Sequence, residues 1–258
     1  MKQDREQELL TRLAVVQKLT LWEAMEMLSI SESTARRMFA KLEKEGHAIR
    51  THGGIQAAGN VKTLYSFEYG VRTNIERKTA IARQAVRFLE DGDVVFCDSG
   101  TTMQCFCAEL INRIRHEKLN IKVYTNSLAN LELLAPHVQV HVVGGTYRAN
   151  RKDFCGYLTE QALNSLFFTK SFVGADGCVG TRFTTTDFDT AKMNQIAMRN
   201  SEQTFMLVDS SKFGNSSHVA YAQAERLHTI VTDADLLPEV RAQLQQSRAR
   251  LVCVDYDL

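Results

Sequence analysis

No apolar run in this 258-residue chain approaches the roughly 18 residues needed to span a bilayer, and the opening MKQDREQELL is too polar for a secretory leader. A cytoplasmic protein with no membrane partner is therefore expected. CxxC pairs are absent, and no histidine stands near the six cysteines at zinc-finger spacing, so neither a metal nor another cofactor is expected. Charge of one sign is lacking too: the net charge of +1 excludes a uniformly basic protein but leaves room for one basic face. What is present is ordinary for a water-soluble fold, with 44% hydrophobic and 24% charged residues. The length suffices for one large α/β domain and a small one.

The large domain is organised around Asp93 to Thr102, DVVFCDSGTT. Val94 to Cys97 favour a buried strand, Asp98-Ser99-Gly100-Thr101-Thr102 a small polar loop, and the residues beyond it a helix. In open α/β sheets ligands sit at the carboxyl ends of the strands, where the unpaired amides of the next helix point outward. Serine, glycine and two threonines there suit phosphate or sugar hydroxyls. The layout recurs at Ile121 to Tyr124 with Thr125-Asn126-Ser127 and the helix Leu128 to Leu134, and at Val138 to Val143 with Gly144-Gly145-Thr146. It recurs again at Lys170 to Val173 with Gly174-Ala175-Asp176-Gly177, and at Thr204 to Val208 with Asp209-Ser210-Ser211-Lys212. His228 to Val231 and Arg250 to Val254 complete a mostly parallel sheet whose loops converge on one edge. The candidate pocket is therefore Asp98, Ser99, Gly100, Thr101, Thr102, Thr125, Asn126, Ser127, Gly144, Gly145, Asp176 and Lys212. Lys212 supplies positive charge, and Asp98 and Asp176 accept from hydroxyls. A phosphorylated sugar or sugar alcohol fits this chemistry. The plain alternatives are that Asp98 or Asp209 caps a helix and that Lys212 pairs with a surface carboxylate. Cys105 and Cys107 form a CxC just beyond the loop and are expected as reduced thiols packed behind the pocket.

The N-terminal stretch has a different texture. Residues 4–17 place Leu9, Leu10, Leu13 and Val16 on one helical stripe. Thr20-Leu21-Trp22-Glu23 has the form of a capping box opening a short helix, Leu21 to Leu28. Ser31 is placed to cap a third helix, Glu32 to Glu45, with Gly46 just past its end. That helix presents Ser33, Thr34, Arg36 and Arg37, types that reach base edges, while Phe39 and Leu42 face inward. Lys41, Lys44 and Arg50 follow as charges for phosphates, and His47 to Ile55 suggests a hairpin wing turning at Gly53-Gly54. A solvated helix face accounts for the charges alone. The capped three-helix pattern with a basic wing points to double-stranded DNA.

With these residues in view, SESTARRMFAKLEKEGHAIRTHGG at 31–54 resembles the winged helix-turn-helix of the DeoR family of bacterial sugar-metabolism regulators. DSGTT at 98–102, TNS at 125–127, GG at 144–145, GADG at 174–177 and DSSKFG at 209–214 follow in that family's order. The resemblance implies a small DNA-binding domain at 1–57, a connector at 58–77 and an effector domain at 78–258 that is similar to sugar-phosphate isomerases. It also implies a repressor of a carbohydrate operon. Two-fold symmetric reading of half-sites makes a homo-oligomer the expectation. Three positions depart from the family pattern. Met38 stands where an Asp usually follows the paired arginines, and within TTTDFDTAKMN Thr190 and Asn194 stand at the second acidic and the Lys positions. The chief rival is an isomerase-like enzyme, which the loss of that acid and base weakens. A third reading, a sugar-phosphate sensor whose helix-turn-helix binds protein, predicts DNA affinity indifferent to Arg36→Ala and Arg37→Ala.

Overall fold

The chain folds as two units, Met1–Tyr69 and Gly70–Leu258. The structure, a computed structural model, describes residues 2–16, 18–45, 47–57 and 67–256. Gly46, Tyr65 and the first part of the connector, 58–66, lie outside the described residues, as does the Tyr69 side chain.

In the first unit, α1 (Lys2–Val16) buries Leu9, Leu10 and Leu13, as its spacing predicts. Strand β1 (Lys18–Thr20) leads into α2 (Leu21–Leu28), whose capping box is complete: Thr20 Oγ1 accepts from the Glu23 amide at 3.2 Å, and Glu23 accepts from the Thr20 amide at 2.7 Å. Helix α3 (Glu32–Lys44) starts at Ser31, but the Ser31 hydroxyl does not cap the backbone. Its carbonyl already takes the Thr34 and Ala35 amides, and the hydroxyl turns to Ser33 Oγ and Thr34 Oγ1 at 3.1 and 3.0 Å. Strands β2 (Ala48–Thr51) and β3 (Gly54–Ala57) form the wing, and β1 joins them in the order β1-β3-β2. Met38, Phe39, Leu42 and Ile55 fill the core between helices and wing. The Met38 departure is thus an apolar side chain 8% exposed, at a place where a carboxylate would have to be desolvated.

Helix α4 (Phe67–Arg72) carries the chain across the division between units, and α5 (Ile75–Ala85) follows with Ile81, Ala82 and Ala85 inward. Then come β4 (Val94–Cys97), α6 (Thr101–Glu117), β5 (Lys122–Thr125), α7 (Leu128–Leu134) and β6 (Val140–Val142). A hairpin of β7 (Thr146–Arg148) and β8 (Asp153–Cys155) precedes α8 (Tyr157–Asn164) and the central strand β9 (Phe168–Gly174). Beyond it lie β10 (Gly177–Val179), β11 (Arg182–Thr185), α9 (Phe188–Arg199), β12 (Ser201–Leu207) and β13 (Val219–Gln223). The chain ends through β14 (Thr229–Asp233), α10 (Pro238–Gln245) and β15 (Arg250–Val254).

Seven strands pair in parallel in the order β15-β14-β12-β9-β4-β5-β6. Alternation along the strands fills both faces. Val95, Cys97, Phe172 and Phe205 meet α5 and α6 on one side, and Phe96 and Phe168 meet Met193 and Ile196 of α9 on the other. From β4 the chain runs outward to β5 and β6, then returns to lay β9 on the opposite side of β4. That reversal makes β4/β9 the switch point of the sheet, the place where open α/β sheets bind their ligands at the strand ends.

Candidate functional site

Asp98 directly follows β4 at this switch point, against β9. Its amide donates to the Phe172 carbonyl at 3.0 Å, which fixes the buried side chain between the ends of the two strands. The carboxylate accepts from the Ser99 amide at 2.6 Å, from Asn194 Nδ2 at 3.0 Å and from the Gly174 amide at 3.4 Å. Burial dominates these bonds and, with the nearby Asp153 charge, pushes the Asp98 pKa up to about 7. Gly100 follows at φ 125°, a backbone conformation that side-chain-bearing residues rarely adopt, and it opens α6 with no side-chain cap. The helix amides are thereby left for another partner. Thr101 Oγ1 accepts from Lys78, and Thr102 is half-buried beside it.

The remaining sequence candidates divide by orientation. Thr125, Asn126 and Ser127 are wholly buried. Thr125 Oγ1 donates to the Cys97 carbonyl at 2.7 Å, Asn126 Nδ2 donates to the Phe154 carbonyl at 3.1 Å, and Ser127 Oγ caps α7 by accepting from the Asn130 amide at 3.2 Å. These three hold the loops together. Gly144 and Gly145 are exposed, with the Gly144 carbonyl accepting from Thr159. Asp176 accepts from Thr185 Oγ1, the Thr186 amide and Arg151 at 2.9, 3.0 and 3.2 Å. Asp209 caps the turn Ser210–Lys212, and Lys212 is half-buried, its amide donating to the Asp209 carbonyl at 3.1 Å and its ammonium without a hydrogen bond or ion pair among the described residues. The Lys212 charge helps hold Asp209 below the ordinary carboxylate range against the opposing effect of burial.

The groups that tie these loops together escaped the sequence reading. Arg148, from β7, donates twice to fully buried Asp153 of β8, Nε to Oδ1 at 2.8 Å and an Nη to Oδ2 at 2.7 Å. It also reaches Asp187 and Thr190 at the start of α9, at 2.9 Å each. Asp153 in turn accepts from Ser99 Oγ at 2.8 Å. Arg151 spans Asp176 and Asp187, both at 3.2 Å. Thr190 and Asn194, the two departures, therefore serve the network: one bonds Arg148 and the other bonds Asp98. The second cluster centres on Lys78, 4% exposed, whose ammonium donates to the Gly70 and Thr73 carbonyls and Thr101 Oγ1 at 2.7, 2.8 and 2.9 Å. Burial lowers its pKa to about 8. Two surface cavities, of about 590 and 610 Å³, lie elsewhere, along α5 and β15 and between α9 and β13; neither is lined by Asp98 or Lys212.

The raised Asp98 pKa has a measurable sign. Between its ordinary 3.8 and about 7 the folded chain holds a proton that the unfolded chain releases. Stability from this group therefore falls as pH rises through that window and levels off above it, by at most about 4 kcal/mol. Asp98→Asn removes the charge, and a turned Asn194 amide offers its unpaired Oδ1 to the new donor. The variant is expected to melt above wild type at pH 8 and to converge with it near pH 4. Parallel melting curves across that range would contradict a buried, reluctantly ionised carboxyl.

In the first unit, Ser33, Arg36, Arg37, Lys41, Lys44 and Arg50 are exposed and Thr34 is half-buried. Arg36 pairs with Glu32 at 2.8 Å, one turn back, with both side chains more than half exposed. Lys41 pairs with Glu6 and Glu45, and Arg50 lies 3.8 Å from Glu43. Exposed pairs of this kind are worth about 0–1 kcal/mol and exchange readily for phosphates. All six cysteines are free, and Cys107 packs into the core behind β4. No group of metal-ligating side chains exists among the described residues, and no helix there is long and apolar enough to cross a membrane.

Comparison with known proteins adds a lineage to this geometry. A family model described as the DeoR C terminal sensor domain matches residues 73–234, and one described as the DeoR-like helix-turn-helix domain matches residues 5–60. A lactose phosphotransferase system repressor of Staphylococcus epidermidis is 34% identical over 82% of this chain and 84% of its own. One from Lactococcus lactis subsp. lactis is 31% identical over 95% and 96%. Among solved structures, ribose 5-phosphate isomerase A from Methanocaldococcus jannaschii shares 24% identity over 55% of each chain, with a TM-score of 0.43.

Proposed function

The chain belongs to the DeoR family of transcriptional regulators, and from that premise we propose that it represses a carbohydrate-utilisation operon, its operator affinity set by a phosphorylated sugar or sugar alcohol. The observation that carries the effector assignment is the pairing of the uncapped α6 N-terminus with Lys212. The amides after Gly100, the Thr101 and Thr102 hydroxyls and an uncommitted ammonium form a phosphate subsite at the end of β4. Arg151, Asp176 and Asp98 lie toward the switch point, where hydroxyls of a sugar are read. The names of the lactose repressors support a repressor, and the exposed cations of α3 and the wing support an operator as its target. Paired half-sites call for a homo-oligomer.

Turnover is a poorer reading of the same geometry. Asp98 titrates near neutrality, which is the one feature favouring proton transfer. Its carboxylate, however, is bound by an amide of Asn194, and the Thr190 hydroxyl is engaged by Arg148 and Asp187. Neither neighbour is an acid or base that exchanges protons at neutral pH.

Lys212→Ala tests the subsite. A charge-assisted bond to phosphate is worth about 1.5–3 kcal/mol, so the variant is expected to bind the effector roughly 10- to 150-fold more weakly. Operator affinity without effector should be unchanged. Calorimetric titration across sugar and polyol phosphates reads the first quantity and fluorescence anisotropy on operator DNA the second. Equal effector affinity in the two proteins would remove Lys212 from the site.

A further inference from the structure

The buried ammonium of Lys78 spends its three hydrogens on two unlike sets of partners. Gly70 and Thr73 belong to the segment by which the chain enters the second unit, and Gly70 lies in the last turn of α4. Thr101 is the first residue of α6, inside the phosphate subsite. Contact between the segment and the loop is close: a Cβ on Gly70 would lie 2.9 Å from Thr101 Cγ2. A second tie runs to the other half of the subsite. Asn74, in the left-handed region at φ 54°, donates from Nδ2 to Asp209 Oδ1 at 3.0 Å and to Ser211 Oγ at 3.1 Å, on the turn that ends in Lys212. Residues 70–74 are thus fastened to both loops that would hold a phosphate.

We propose that Lys78 couples the subsite to the chain segment leading from the DNA-binding unit: phosphate at Gly100–Thr102 draws the ammonium away from the Gly70 and Thr73 carbonyls and frees the end of α4. This rests on the phosphate reading above. A phosphate arriving beside Thr101 brings a full negative charge that the two carbonyls lack, and its Coulomb attraction for the poorly solvated ammonium competes with both of them. The Gly70 carbonyl lies in the last turn of a six-residue helix and also accepts from the Thr73 amide at 3.3 Å, while Thr73 follows directly on the helix end. Lys78 adds a charged donor to both carbonyls, and a helix so short depends on support from outside itself. The two arrangements differ in their affinity for phosphate, which is the condition for a ligand to shift their balance.

Hydrogen exchange on the full chain, with inorganic phosphate as the probe, separates the steps. In wild type, phosphate is expected to slow exchange of the amides at 101–104 and to speed exchange at 67–74 by tenfold or more. In Lys78→Met the 67–74 amides should exchange fast with or without phosphate. Should that variant not fold, Asn74→Ala serves instead: it loosens 67–74 at rest and keeps the phosphate response, because Lys78 remains. Protection at 101–104 with no change at 67–74 in wild type overturns the coupling and leaves the subsite standing. No protection at 101–104 at any phosphate concentration overturns both. A phosphate response abolished in Asn74→Ala moves the coupling from Lys78 to the other tie.

Discussion

Replacing Arg148 with Met is expected to cost the second unit about 3–5 kcal/mol of stability at neutral pH, the usual cost of stranding one partner of a buried ion pair. Asp153 is fully buried, and after the change its carboxylate keeps, among the described residues, the Ser99 hydroxyl alone. Asp187 and Thr190 lose the same guanidinium, so β7, β8 and the start of α9 loosen together. Part of the loss should return in Arg148→Met with Asp153→Asn, because no charge is then left without a partner. Urea denaturation of the three proteins measures both steps. A loss below about 1 kcal/mol in the single variant would mean that water reaches Asp153 and that the network does not hold the site. Because Ser99 hangs from Asp153, the single variant should also weaken effector binding without touching the Lys212 charge.

Arg36→Ala with Arg37→Ala should leave the fold intact and strongly weaken operator binding. Both side chains are exposed, and among the described residues the ion pair given up is the exposed one to Glu32. A bidentate contact to a base pair is worth about 1–3 kcal/mol, so losing two lowers operator affinity by roughly 30-fold to 10⁴-fold. Replacing Lys41 or Arg50 should act more weakly and equally on all sequences, reducing the salt dependence. An unchanged affinity in the double arginine variant would favour a helix-turn-helix that meets protein instead of DNA.

Much of this was legible in the chain because strong local signals and tertiary demands agree. The Thr20 to Glu23 box, the Leu9, Leu10 and Leu13 stripe, and the strands Val94–Cys97 and Arg250–Val254 stand where pattern and capping chemistry place them. Polar residues at strand ends were ambiguous for a physical reason. Thr125 and Ser127 bond backbone within their own layer, while Thr101 and Lys212 are the residues proposed for the phosphate subsite, and composition does not distinguish the two uses. Arg148 and Asp153 lie in three-residue strands with no hydrophobic alternation, so nothing local announces the hairpin or its buried pair. Lys78 sits among charged residues of an amphipathic helix, where a lysine ordinarily faces water. Its burial follows from Gly70 and Thr101 closing over it, contacts that only the folded chain creates. Ser31 had the right residue type for a cap, but neighbouring hydroxyls at Ser33 and Thr34 took its side chain.

The measurement that bears most directly on the account is the binding isotherm of the full chain on its operator, repeated with each of a panel of sugar and polyol phosphates and with their unphosphorylated parents. One phosphorylated member should shift operator affinity by at least tenfold in wild type, its parent should not, and Lys212→Ala should lose the shift while keeping the unliganded affinity. A panel that leaves the isotherm unmoved, or a shift that survives in Lys212→Ala, would contradict control through the loops at the switch point.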